Sequence, residues 1–412
     1  MRLVSPLLRG RSDFRLFFAG QTISLVGDAI TLIALPLVGV LVLHANAAQM
    51  GYLGAAALAP NLLVSLHAGA WVDRRGHRRR TMLIADLGRA ALLASIAVAY
   101  AFDVLTIGQL YVVGFLLGTL SVLFFVSYNT LFVSLVSREN YVSANALLNG
   151  SRAMSFVSGP SIGGFLVQVL SAPFALLADA GSFLVSAFTL GRISPVEPPT
   201  EKAERGHIAA GVRYIIRSPI LRASLAATAW INFFNFVFWA LYILYVTRSL
   251  HVVPAVLGLL LGAASLGSVL GAILTKRISR RLGVGPTYIL GCLLFTAPLI
   301  LVPLAQGSRA VVLGCLFLAE LGSGFGVMLL DIMGGSIQAA LIPDRLRARV
   351  SGAYMVVNYG VRPIGALVGG VLGTAIGLRP TLWIATGGAI AGFLLMLPSP
   401  IPRLHELPEA DT

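Results

Sequence analysis

Charge is what this chain has least of. Only 11% of its 412 residues are Asp, Glu, Lys or Arg and 57% are apolar, whereas soluble domains carry about 25% charged residues. That excludes a soluble globular domain and points to an all-α membrane protein that crosses the bilayer many times. Acids are scarcer still, 16 against 30 bases. The resulting +14 suggests nucleic acid at first sight, but the bases sit in short loops between apolar runs, so no nucleic-acid partner is expected. Lysine occurs only at Lys202 and Lys276; the other cations are arginine, which reads as base composition of the gene. The two cysteines, Cys292 and Cys315, lie in apolar runs, so no disulfide framework is implied. There is no Walker-type phosphate loop, no His-Glu-x-x-His and no cysteine cluster, and His44, His67, His77, His207, His251 and His405 show no metal spacing. No cofactor, metal or enzymatic activity is therefore expected, and energy would come from an ion gradient rather than ATP. Arg2, Arg9 and Arg11 precede a long span with no small-residue cleavage site, so no removable signal peptide is expected.

What is present is hydrophobic length. Apolar runs near 14–43, 50–72, 81–102, 107–136, 141–170, 173–191, 221–247, 253–275, 286–304, 310–341, 346–376 and 380–398 predict twelve transmembrane helices, each near or above the roughly 20 residues a crossing needs. Arg248, Arg309 and Arg379 fall in loops on one side, and Arg89, Arg152 and Arg362 fall within spans. Every other Lys and Arg falls on the opposite side. That bias predicts cytoplasmic N- and C-termini. Between the sixth and seventh runs lie Pro195, Pro198 and Pro199, a mixed-charge stretch from Glu201 to Arg205, and then Ile208 to Pro219. Val212, Ile215 and Ile216 share one helical face and Arg213 and Arg217 another, which predicts a short amphipathic helix on the cytoplasmic surface, ended by Pro219. The expected organisation is a six-helix bundle over 1–191, a linker over 192–220 and a second six-helix bundle over 221–412. The halves repeat weakly: Ser158 to Gly164 matches Ile364 to Gly370 half a chain later, and Gly271 to Arg277 echoes Gly69 to Arg75.

Ionisable residues inside spans are the candidate site. Asp28 sits midway along the first span, where a carboxylate costs about 2.5–3.5 kcal/mol to insert. It is either a protonatable coupling group, or a holder of a cationic ligand, or half of an ion pair that ties helices together. Glu320 is the matching candidate in the second half, and Asp331, eleven residues on, returns to nearly the same helix face, so the two could line one path. Arg152 and Arg362 occupy nearly equivalent repeat positions, and each needs a carboxylate or a watery lumen; Asp28, Asp179, Glu320 and Asp331 all remain open as partners. Asp86 and Arg89, at i and i+3, read as a structural pair. In the seventh span Asn232, Asn235 and Trp239 form a cavity-facing stripe, and Trp230, Phe234, Phe238 and Tyr242 a packing stripe.

The stretch Gly69-Ala-Trp-Val-Asp73-Arg74-Arg75-Gly76-His77-Arg78 resembles the loop 2–3 signature of the major facilitator superfamily, matching at Gly69, Asp73, Arg74 and Gly76, with the next basic residue delayed by His77. Ser155-x-x-x-Gly159-Pro160-x-x-Gly163-Gly164 resembles the span 5 motif of its antiporter members, with serine in place of the usual first glycine. Gln21 to Ala29, Gly211 to Arg222 and Asn358 to Gly365 are similar to the bacterial branch that contains macrolide-efflux proteins and the enterobactin exporter. The resemblance covers the whole chain. It implies the major facilitator fold, alternating access, and export of an amphipathic small molecule (drug, secondary metabolite or siderophore) in exchange for protons. It implies a monomer in a bacterial inner membrane. It also implies that Asp73 locks a cytoplasmic gate against the start of span 11, near Arg349 to Ala353, and that Gly159, Pro160, Gly163 and Gly164 let their helix bend. One departure stands out: many proton antiporters carry an arginine inside span 4, and 108–136 has none. The alternatives are a nutrient symporter or facilitator, or a non-transporting sensor of the same fold.

Overall fold

At membrane depth the backbone has no water to bond, so each apolar run must satisfy its own N–H and C=O groups as helix. The computed structural model describes residues 13–195 and 208–407, without the side chains of Leu66, Ala70, Asp73, Arg75, residues 208–210, Arg345 and Ala348, and among these there is no strand. The helices are α1 Asp13–Leu37, α2 Ala47–Leu63, α3 Ser65–Arg75, α4 Arg78–Ala101, α5 Ile107–Leu135, α6 Tyr141–Leu170 and α7 Ala172–Arg192. They continue as α8 Ile208–Arg217, α9 Pro219–Arg248, α10 Pro254–Leu282, α11 Val284–Thr296, α12 Leu301–Leu304, α13 Arg309–Leu341, α14 Asp344–Ala375 and α15 Leu378–Ala391.

Eleven helical stretches of the described chain are long and apolar enough to cross a membrane. The second predicted span is helical but comes in two pieces, α2 and α3, which meet at Val64 (φ −102°, ψ −32°). Pro60 lies one turn before the break; it lacks an N–H and its ring crowds the carbonyl of residue 56. Proline also marks the irregular ends of two other spans. α1 passes Pro36 into a π-turn at Val38–Val42, and α11 gives way at Pro298 to a 3-10 turn before α12.

Two compact units emerge. The first takes in 13–45, 56–195 and 253–259; the second takes in 46–55, 208–252 and 260–407. In the first, α7 packs on α1 and α4, α6 on α1, and α5 on α4. Its core gathers Phe14, Phe17, Met82, Phe124, Leu131 and Leu190. In the second, α9 packs on α14 and α15 and α11 on α13, around Ile231, Tyr288, Cys292, Met333 and Ile337. Large apolar side chains remain outside, such as Phe165 (60% exposed) and Val98 (55%). A lipid-facing surface has this character.

The short amphipathic helix exists as α8. Of its three apolar face residues, Ile215 is buried with Leu221, Ile342, Val350 and Tyr354, while Val212 and Ile216 are exposed. Gly211 sets how α8 packs. A Cβ there would meet the Arg349 carbonyl oxygen at 2.3 Å, so α8 lies against the backbone of α14 on its Gly211–Ile215 edge. Tyr214 Oη adds a hydrogen bond to the Leu341 carbonyl at 2.6 Å. The mixed-charge part of the predicted linker, 196–207, lies outside the described residues.

Candidate functional site

In the first unit, four ionisable side chains from three helices converge. Asp28 comes from α1, Asp86 and Arg89 from α4, and Asp179 from α7. Helices α1 and α7 can approach this closely because residue 27 has no side chain: a Cβ at Gly27 would lie 2.1 Å from both Asp179 Oδ1 and Ser182 Oγ. Asp179 accepts hydrogen bonds from Thr31 and from Ser182 (2.8 Å). Gln21 donates to Ser186 at 3.3 Å. Arg89 lies between two rings, 4.3 Å from the Phe124 centroid and 4.1 Å from that of Phe183. Its guanidinium donates through Nη2 to Asp86, while Nη1 stands 3.8 Å from Asp28. Cation–π contact of this kind holds a desolvated guanidinium without consuming its hydrogen-bonding edge.

The members of the cluster differ in access. Asp86 and Asp179 are fully buried and Arg89 is 3% exposed, whereas the Asp28 side chain is 48% exposed. Asp28 is thus the open end of a buried charge network. Sequence reasoning singled out Asp28 but left Asp179 as one of several conceivable partners, and it read Asp86 and Arg89 only as a local pair. The signal for Asp179 was present: Asp179, Ser182 and Ser186 form a polar i, i+3, i+7 stripe on an otherwise apolar helix. Arg152 does not join the cluster. It is exposed on α6, near Tyr128, and makes no ion pair among the described residues.

Helix α6 passes beside Asp28 on its small residues. A Cβ at Gly159 would lie 2.3 Å from that of Ala29, and one at Gly163 would lie 3.0 Å from the Ile30 Cα. On its other side Gly164 meets the start of α10, where a Cβ would approach the Pro254 carbonyl to 2.3 Å. Pro160 is buried within the helix.

The second unit holds a cavity of about 280 Å³ between α9, α11, α13 and α14. Asn232, Asn235, Asp331 and Arg362 all line it, with Thr228 and Phe236. Arg362 stacks over Tyr359 (4.2 Å) and faces Phe236 (5.1 Å). Asn232 donates to the Thr228 carbonyl (3.0 Å) and to Asn358 (3.1 Å). Trp239 is not in this lining; it packs against Tyr242 and Phe238. Glu320 is not in it either: Glu320 is 1% exposed, while Asp331 is open to the cavity. The Glu320 carboxyl lies near the Tyr242 hydroxyl, but neither Glu320 Oε1 nor Tyr242 Oη makes a hydrogen bond.

Of the loop motif, Gly76 has a clear local task. It ends α3 in the left-handed conformation (φ 66°), its N–H bonding the Val72 carbonyl at 3.1 Å. Gly69 has open space where a Cβ would go, Arg74 is exposed, and the Asp73 side chain lies outside the described set. Arg79, just past the motif, closes the C-terminus of α7 through hydrogen bonds to the Leu190 (2.7 Å) and Gly191 (2.6 Å) carbonyls, a favourable place for a cation.

Residues 4–411 match the family described as "Transmembrane secretion effector". The multidrug efflux pump Tap of Mycolicibacterium fortuitum is 27% identical over 425 residues, covering 95% of this chain and 96% of that protein. The enterobactin exporter EntS of Shigella flexneri is 24% identical over 399 residues, covering 95% and 92%. Among solved structures, an inward-facing bacterial homologue of the iron transporter ferroportin superposes with a TM-score of 0.75 at 15% identity, covering 96% of this chain and 99% of that one. The nucleoside transporter NupG gives 0.71 at 12%, covering 94% and 98%. At such identities these structures speak for the fold alone.

Proposed function

Because the chain belongs to the transmembrane secretion effector family of the major facilitator superfamily, we propose that it exports amphipathic small molecules across a bacterial inner membrane in exchange for protons. The names of Tap and EntS support the direction. The basic-residue bias supports cytoplasmic termini, and the internal repeat supports two six-helix halves, 1–191 and 221–412, working as a pair. Gating is assigned to Gly69, Asp73, Arg74 and Gly76 on the strength of their motif, and Glu320 beside Tyr242 is a second protonatable site.

The observation that carries proton coupling is the half-exposed Asp28 carboxyl, 3.8 Å from a guanidinium already bonded to a buried second aspartate. An ionised Asp28 attracts Arg89 and ties α1 to α4. A protonated Asp28 leaves the cation to Asp86, and the tie weakens. A proton can drive a conformational change only through such a difference between states.

The test uses inverted membrane vesicles with an acidified lumen. Addition of a transported compound is expected to release protons from the lumen as the compound enters, and Asp28→Asn is expected to abolish the release. Full proton-coupled transport by Asp28→Asn would overturn the assignment.

A further inference from the structure

The cavity of the second unit presents one charge of each sign, and the two do not pair. Asp331 and Arg362 both line it, each within reach of the other's field, yet no ion pair joins them among the described residues. Arg362 is held instead by the Tyr359 and Phe236 rings, and its Nε has no partner. A third group is idle: Asn235 is 7% exposed, lines the cavity, and its Oδ1 is buried without a hydrogen bond. Charges at membrane depth each cost a few kcal/mol unless matched, and an unbonded buried amide oxygen adds to that.

A monocation in this cavity would gain Asp331 but face Arg362; a monoanion would face the reverse, and like-charge opposition discriminates strongly. We infer that the cavity recognises zwitterions. The ligand's ammonium faces Asp331, its carboxylate engages the planar edge of Arg362, a donor meets Asn235 Oδ1, and an aromatic body lies against Phe236 and Phe295. A cavity of about 280 Å³ admits a substituted single ring or the head group of something larger. This rests on the transporter reading above and names the substrate class of that reading's binding site.

The test is equilibrium binding to the purified full chain in detergent, with 4-(aminomethyl)benzoate, its methyl ester (cation only) and its N-acetyl derivative (anion only). The zwitterion is expected to bind about tenfold tighter than either, an advantage of roughly 1.4 kcal/mol. Asp331→Asn should erase its advantage over the N-acetyl anion without weakening that anion. Arg362→Gln should erase its advantage over the ester. Equal binding by all three, binding by none, or uniform weakening in Asp331→Asn overturns the inference. No gradient enters this measurement, so the two readings fail separately. Zwitterion preference without vesicle transport would overturn export alone, and coupled transport without the preference would overturn this inference alone.

Discussion

A guanidinium held between two rings keeps its edge free to turn from one carboxylate to another, and Arg89 is so held, hydrogen-bonded to Asp86 and 3.8 Å from Asp28. Its two contacts differ in kind. Asp86 is wholly buried, so removing the cation strands a carboxylate in the core, which costs about 3–5 kcal/mol for a broken buried pair. Arg89→Gln is therefore expected to lower the thermal unfolding midpoint sharply in detergent. The double variant Asp86→Asn with Arg89→Gln should recover much of the loss, because no unpaired charge remains. A double variant as unstable as the single one would show that ring packing, not charge, holds the site. Arg89→Lys should rescue poorly, since an ammonium cannot stack flat between Phe124 and Phe183 while bridging two carboxylates. Asp28→Asn, by contrast, alters a half-exposed group and should leave the midpoint near wild type.

Helix contacts here are made at small residues, and the glycines separate cleanly by what a methyl group would meet. Gly159→Ala puts a carbon 2.3 Å from Ala29 Cβ, so α6 must move off α1 beside Asp28; slowed transport and a lowered midpoint are expected. Gly150→Ala, on the same helix, meets nothing within 4 Å and should gain up to about 1 kcal/mol of helix propensity. Identical behaviour of the two would refute the close-approach argument. Gly211→Ala tests α8 in the same way, since its methyl strikes the Arg349 carbonyl. The helix should leave α14, and trypsin should then cut faster after the exposed Arg213 and Arg217. Hydrophobic periodicity weighs side chains, so it found this helix and its face of Val212, Ile215 and Ile216, but not its contact with α14, which is made by a residue with no side chain. The break at Val64 was equally open to reading, through Pro60, but a continuous apolar run concealed it.

At the scale of the molecule, fold and site differed in legibility because their causes lie at different distances along the chain. Spans follow from runs of neighbouring residues, and the motifs at Asp73 and Gly159 are equally local. Both were readable. The pairing of Asp28 with Arg89 joins α1 to α4, and the cavity joins α9 to α13 and α14. No spacing rule reaches between helices, so Arg89 was credited only with its i−3 neighbour and Arg362 with no settled partner. Orientation depends on the whole distribution of charge. The end of α10 carries Lys276, Arg277, Arg280 and Arg281, whereas the start of α13 carries Arg309 alone. The orientation proposed above puts the first end in the cytoplasm and the second outside. Cys292 is buried, so a Cys315→Ser background leaves little intrinsic labelling. On that background, Ala310→Cys in right-side-out vesicles should react with a membrane-impermeant maleimide. Leu282→Cys, exposed at the end of α10, should react only after permeabilisation. The opposite pattern would invert the topology and, with it, the side from which protons reach Asp28.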